Sequence, residues 1–228
     1  MSQRIFAEKR DTSSPQVDYS GEPDTCPLCH RGIAPRRVTA ALTEEYLRNI
    51  LQVVFRCPRQ ECDGLFIAYY RPPISEGPPR SSTYMLFDLA PINPLEESFG
   101  ESVATTSPSF VEIYNQAVAA EATKLGQVAG MGYRKALEFL VKDFLIKQKP
   151  ADAENIKKTM LGSCINNYVD DPRIKSVAAR ATWLGNDETH YVRKWIDKDI
   201  EDLKILIKLS VNWIENVLLT EKYVADMN

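Results

Sequence analysis

Four of the five cysteines fall in two close pairs, Cys26-x2-Cys29 and Cys57-x4-Cys62, with 27 residues between the pairs. This spacing suits a tetrahedral metal, because each pair supplies two thiolates from a tight turn and the intervening chain folds as a hairpin. A proline follows the first cysteine of each pair, Pro27 and Pro58, and helps fix the turn. Two disulfides would use the same cysteines. The stretch Met1 to Asp24 is polar and holds no apolar signal core, so a cytoplasmic chain with reduced thiols is expected instead. A catalytic zinc keeps one position for water and commonly uses histidine, whereas four cysteines fill the tetrahedron. The expectation is one structural zinc on Cys26, Cys29, Cys57 and Cys62, with His30 as an exposed knuckle residue. Cys164, the fifth cysteine, is expected to be a small buried apolar residue.

A second place for chemistry lies near the C-terminus. One of only two histidines closes the run Trp183-Leu184-Gly185-Asn186-Asp187-Glu188-Thr189-His190. Asn186 and His190, four apart, share one helical face, and imidazole is the side chain that titrates near neutral pH. Asp187 and Glu188 flank His190 and repel phosphate locally. Trp183, Tyr191 and Trp195 would suit base stacking, but only Arg193 and Lys194 are interleaved with them, so core packing is expected. Gly126-x3-Gly130-Met131-Gly132 lacks the Lys-Ser/Thr ending of a phosphate-binding loop and reads as a helix break with close packing.

These residues need a scaffold. A hydrophobic content of 44% with 26% charged residues is that of a globular chain with a core. The net charge of −3 divides into 11 basic and 11 acidic residues before residue 93, and 17 and 20 after it. Neither part is a basic module, which argues against a general grip on nucleic acid. No apolar run approaches the roughly 20 residues of a membrane span. Strands are expected at 49–56, 64–70 and 83–89, where β-branched and aromatic residues flank turn chemistry. The stretch 39–45 reads equally as a short helix or a strand. From Ser109 the pattern turns helical, with Ser109 and Glu112 as a capping box. A second helix after Gly132 carries the stripe Tyr133, Ala136, Leu137, Leu140, Phe144 and Leu145. Helices over 153–168, from 170 to about 190, and from Asp199 onward complete an antiparallel set of five.

Two blocks of the helical part resemble a known family. Gly130-Met131-Gly132-Tyr133-Arg134-Lys135-Ala136-Leu137-Glu138-Phe139-Leu140, followed by Leu184-Gly185-Asn186-Asp187-Glu188-Thr189-His190, is similar to the domain-of-unknown-function family 4145. Members of that family often place a zinc-ribbon-like cysteine module before a helical domain related to the HEPN superfamily of toxin and phage-defence bundles. The resemblance implies an α+β chain: a flexible segment 1–22, a small β-rich zinc ribbon over 23–94, a linker 95–108, and an antiparallel HEPN-like α-helical bundle over 109–228. It also implies a homodimer through the bundle.

Active HEPN ribonucleases need no metal and use an Arg-x4-His motif. A cation stabilises charge on the phosphorane and an imidazole moves the proton of the 2′-hydroxyl. Here His190 matches the histidine and Asn186 the polar position, but Gly185 stands where the arginine belongs. Arg180 is five residues too early, while Arg134, with Glu138 one turn on, could reach the face from another helix. The candidate helical site is therefore His190, Asn186, Arg134 and Glu138. Without the motif arginine the expected role is a non-catalytic or weakly catalytic module, accessory to a bacterial or phage-linked system, that binds a protein, RNA or a nucleotide. The alternative is a divergent metal-independent ribonuclease.

Overall fold

The computed structural model describes residues 2–45, 48–73, 83–187, 191, 194 and 197–227. The chain divides into two compact units, Met1–Asn93 and Pro94–Asn228.

Unit 1 is a six-stranded mixed sheet that curls until it is nearly closed. Its strands are β1 (Gln3–Phe6), β2 (Gln16–Ser20), β3 (Arg36–Glu45), β4 (Arg48–Arg56), β5 (Leu65–Arg71) and β6 (Tyr84–Ala90). Their spatial order is β1-β2-β6-β5-β4-β3; β2 pairs with β6 in parallel and the other neighbours are antiparallel. The two edges meet just beyond β1, where the Glu8 amide donates to the Ala40 carbonyl (3.0 Å) and the Leu42 amide to the Glu8 carbonyl (2.8 Å). Curling places one face of every strand inside. Alternate residues Ala40 and Leu42, Leu51, Val53 and Phe55, and Phe66, Ala68 and Tyr70 are buried there with Tyr19.

This architecture corrects the expected zinc ribbon and the expected fold class with it. The segment 1–22, expected to be flexible, supplies two strands of the sheet. Ile5 and Ala7, then Val17 and Tyr19, keep a period of two and point inward, but each run is short. A polar turn separates them, closed by the Lys9 amide on the Ser13 carbonyl at 2.8 Å. The ambiguous stretch 39–45 is part of β3.

Unit 2 holds seven α-helices among the described residues, rather than five. They are α1 (Glu101–Thr106), α2 (Pro108–Ala122), α3 (Gly126–Gln148), α4 (Ala153–Lys158), α5 (Leu161–Tyr168), α6 (Pro172–Asp187) and α7 (Ile200–Asp226), with a 3-10 turn at Pro150–Asp152. The expected linker 95–108 contains α1, whose Val103 is fully buried. The expected capping box at Ser109 is absent: α2 starts at Pro108, and the buried Ser107 hydroxyl donates to Asp143 Oδ2 on α3 at 2.5 Å. The Gly126–Gly132 run is the start of α3, not a break before it.

The expected helix over 153–168 is two helices, for a reason of phase. At 100° per residue an unbroken helix would turn Leu161 about 140° away from Ile156. Extended backbone at Thr159 and Met160 resets the phase, so Ile156, Leu161, Cys164 and Ile165 share one core and Met160 is left exposed. At α7 the expected start holds: Asp199 accepts from the Glu201 and Asp202 amides (2.9 and 3.2 Å), and Asp202 returns the contact. The central helix is α3, whose expected stripe is buried throughout.

Candidate metal centre and the Arg134–Asn186 contact

The four cysteines of unit 1 come together. Cys26 and Cys29 lie in the connection from β2 to β3, Cys57 and Cys62 in the hairpin from β4 to β5. The two turns are built alike. In the first, the His30 amide donates to the Cys26 carbonyl (2.9 Å) and the Cys26 amide to the Arg31 carbonyl (3.0 Å). In the second, the Asp63 amide donates to the Arg59 carbonyl (2.8 Å) and the Cys57 amide to the Gly64 carbonyl (2.9 Å). The residue after the second cysteine is left-handed in both, with φ of 55° at His30 and 44° at Asp63. That conformation aims the following amide back at sulfur. Cys26 Sγ accepts from the Leu28 amide (3.4 Å), and Cys29, Cys57 and Cys62 each feel the amide two residues on, at Arg31, Arg59 and Gly64.

The sulfur geometry fits a metal and not disulfides. Cys26 and Cys62 Sγ are 3.9 Å apart, as are Cys29 and Cys57, and all four sulfurs lie within 4.8 Å of one another. A disulfide needs about 2.05 Å. A tetrahedral ion with bonds of about 2.3 Å to sulfur places its ligands about 3.8 Å apart. Cys26 and Cys57 are buried, and Cys29 and Cys62 half-buried. Burial pushes the Cys57 thiol up to about 12, whereas the Arg31 amide holds Cys29 below the ordinary thiol range. A cation at the centre would favour the thiolate form of all four.

The spacing of the cysteines did not reveal what braces them. Arg56 and Asp63 bracket the second turn with a two-pronged ion pair, Nε to Oδ1 at 2.7 Å and Nη2 to Oδ2. Leu28 of the first turn lies on Gly64 of the second, where a Cβ would come within 2.4 Å of Leu28 Cδ1. His30, expected to be exposed, is half-buried with its Nε2 buried and unpartnered among the described residues. It stands outside the four-sulfur group.

In unit 2, α3 and α6 bring three of the four helical candidates together. Arg134 Nε donates to Asn186 Oδ1 at 2.6 Å, and its Nη1 to Glu138 Oε2 at 3.0 Å. Lys142 Nζ meets the other Glu138 oxygen at 2.7 Å. The approach runs across Gly185, where a Cβ would stand 2.7 Å from both Cβ and Cγ of Arg134. Gly185 is thus the gap through which Arg134 passes from the other helix. Glu138 sits below the ordinary carboxylate range: burial opposes its charge, but Lys142 and Arg134 outweigh burial.

His190, with 188–190 as a whole, lies outside the described residues, as do Arg193 and Trp195. Arg180 does not join Arg134; its Nη1 donates to the Ser176 carbonyl at 3.1 Å, and the side chain lines a separate cavity of about 330 Å³ with Trp183 and Leu206. The expected packing of the aromatics is also corrected, since Trp183 is half-exposed and Tyr191 fully exposed. Cys164 is buried as expected, its thiol against the Ile156 and Thr159 carbonyls.

Compared with protein-family models, with curated proteins and with solved structures, the chain matches none. The family resemblance therefore rests on the two quoted sequence blocks. The four cysteines form a potential metal-binding group without a disulfide, and Arg134, Glu138 and Asn186 form one connected polar cluster. No helix among the described residues is long and apolar enough to cross a membrane.

Proposed function

We propose that this chain is a zinc-stabilised, non-catalytic interaction module with a helical unit of HEPN-related ancestry. It acts in the cytoplasm as a homodimer through unit 2, accessory to a bacterial or phage-linked system. Zinc is the ion that four thiolates at tetrahedral spacing suit best, and with no position left for water its role is structural.

The observation that carries the non-catalytic reading is the state of Arg134. A ribonuclease needs a cation whose donors are available to the scissile phosphate. The Arg134 guanidinium instead donates to Asn186 and Glu138, and Glu138 also holds Lys142. A carboxylate between two cations cancels much of the field that a phosphate would use, and the cluster reads as a tie between α3 and α6. The Asn186 face then recognises a protein or nucleotide partner without turnover.

One observation favours a divergent ribonuclease as the second reading: Arg134 places a guanidinium beside Asn186, where the sequence motif has only Gly185. The two readings separate in one assay. Purified full-length protein incubated with single-stranded RNA and a chelator that leaves the zinc in place is expected to leave the RNA intact. Cleavage that His190→Ala abolishes, with the melting temperature unchanged, would establish the enzyme instead.

A further inference from the structure

A different part of unit 2 carries an unassigned site. The extended segment before α1 lies against α2 and α7, and the Asn115 side chain clamps it by accepting from the Glu97 amide (2.8 Å) and donating to the Glu97 carbonyl (3.1 Å). On either side of Glu97 open two cavities of about 460 and 490 Å³, both lined by Glu97, Tyr114 and Lys204. Tyr114 lines both. The residue is 6% exposed, edge-on to Tyr133 at 4.9 Å, yet its hydroxyl has no hydrogen-bond partner among the described residues. That hydroxyl is reached by solvent, so it opens to the polar mouth that Glu97 and Lys204 share.

The site already holds one ammonium group, and shows how. Lys204 Nζ donates to Glu121 (3.2 Å) and Glu201 (2.9 Å), 6.0 Å from the centre of the Tyr133 ring, while the Tyr133 hydroxyl donates to Glu121 at 2.6 Å. Beside this arrangement the parts of a second one stand unused. The exposed Glu97 carboxylate has no ion pair or hydrogen bond among the described residues, and neither has the Tyr114 hydroxyl, the solvent-reached tip of an otherwise buried side chain. With Glu96, Glu97, Glu121, Glu201 and Glu215 against Lys204 and Lys208, the two cavities together are anionic. These carboxylates do not converge closely enough to hold a metal ion, since the described residues contain only the cysteine group at such spacing. A primary ammonium suits them: it offers three donors, takes no acceptor, and gains from a tyrosine face.

We propose that this groove binds an alkylammonium ligand, a linear polyamine such as spermidine, with one ammonium on Glu97 and Tyr114 and its chain running along α7. The site shares no residue with the Arg134 cluster and does not depend on the function proposed above.

Calorimetric titration of the full chain with spermidine at low ionic strength tests it. Saturable binding is expected, weakened about tenfold by Glu97→Gln, which loses a charge-assisted contact, and several-fold by Tyr114→Phe, which loses only a hydroxyl. Neither variant should change the melting temperature, because neither group has a hydrogen-bond or ion-pair partner among the described residues. The proposal is overturned by the absence of saturable binding. It fails equally if both variants bind like the parent, or if magnesium at matched ionic strength displaces spermidine as well as a competing diamine does.

Discussion

Replacing Gly185 by alanine tests the α3–α6 contact most directly, because two effects of opposite sign meet at one atom. In a helix, alanine is favoured over glycine by up to about 1 kcal/mol, and somewhat less in a last turn. Gly185 is the third residue from the end of α6, so the intrinsic gain is about 0.5 kcal/mol. Against it stands the new Cβ, 2.7 Å from Cβ and Cγ of Arg134 and 3.5 Å from its Cα. The near end of a side chain cannot swing aside, and Arg134 is anchored at its far end by Asn186 and Glu138. Relief requires α3 and α6 to separate by several tenths of an ångström, an overpacking cost of about 2–2.5 kcal/mol within the usual range of about 1–3. The net expectation is a loss of about 1.5–2 kcal/mol. For a unit of about 135 residues this lowers the melting temperature by about 5–7 °C. Gly162→Ala is the control, in the first turn of α5 with nothing within 4 Å of the added Cβ, and should be neutral or slightly stabilising. Urea and thermal unfolding of both variants, followed by circular dichroism, give the comparison. If Gly185→Ala is as stable as the parent, Arg134 does not lie across Gly185 and the account of the missing motif arginine falls with it.

Two further outcomes follow from the same geometry. Purified protein should carry one zinc per chain by elemental analysis, and Cys57→Ser should lose most of it and destabilise unit 1 by several kcal/mol, since metal affinity is folding free energy here; full zinc content in that variant would refute the four-thiolate site. Glu138, depressed in the folded state, contributes stability that is present above its unfolded value of 4.5 and lost as pH falls through the lower folded value. Glu138→Gln should therefore cost stability at neutral pH and show a shallower loss on acidification below 4.5, measured by urea midpoints across that range.

The parts of this protein legible from sequence are those whose signal is local. Paired cysteines, the start of the last helix near Asp199 and the α3 stripe each declare themselves within a few residues, and the structure places each as expected. The strands expected at 49–56, 64–70 and 83–89 appear as β4, β5 and β6, but β1 and β2 did not declare themselves, because they are four and five residues long and their inward residues are too few to stand out from a polar surround. Their pairing depends on β6 and β3, far along the chain. The break at Thr159 was equally hidden: it follows from where the core lies, which fixes the phase of Leu161 against Ile156. Lys204 with Glu121 is the extreme case, two exposed-looking charges 83 residues apart that only tertiary packing joins.

The Arg134 cluster also separates position in sequence from position in space. Phosphate chemistry asks for a guanidinium near an imidazole and is indifferent to which helix carries it, so the glycine at 185 does not by itself remove the cation. What decides the matter is the company the cation keeps. Arg134 reaches Asn186 only by passing over Gly185, and a second arginine at 185 would contest that space. Glu138 and Lys142 complete a chain of opposite charges along α3 that leaves the guanidinium half-buried and engaged on two sides. A substrate phosphate would have to displace a carboxylate already held by two cations, at a site where the net charge gained is close to zero. Removing that carboxylate is thus the change most able to turn the cluster into a phosphate site: Glu138→Gln should raise affinity for a single-stranded oligonucleotide above the parent's if the Asn186 face meets RNA, and leave it unchanged if that face serves only to join α3 to α6.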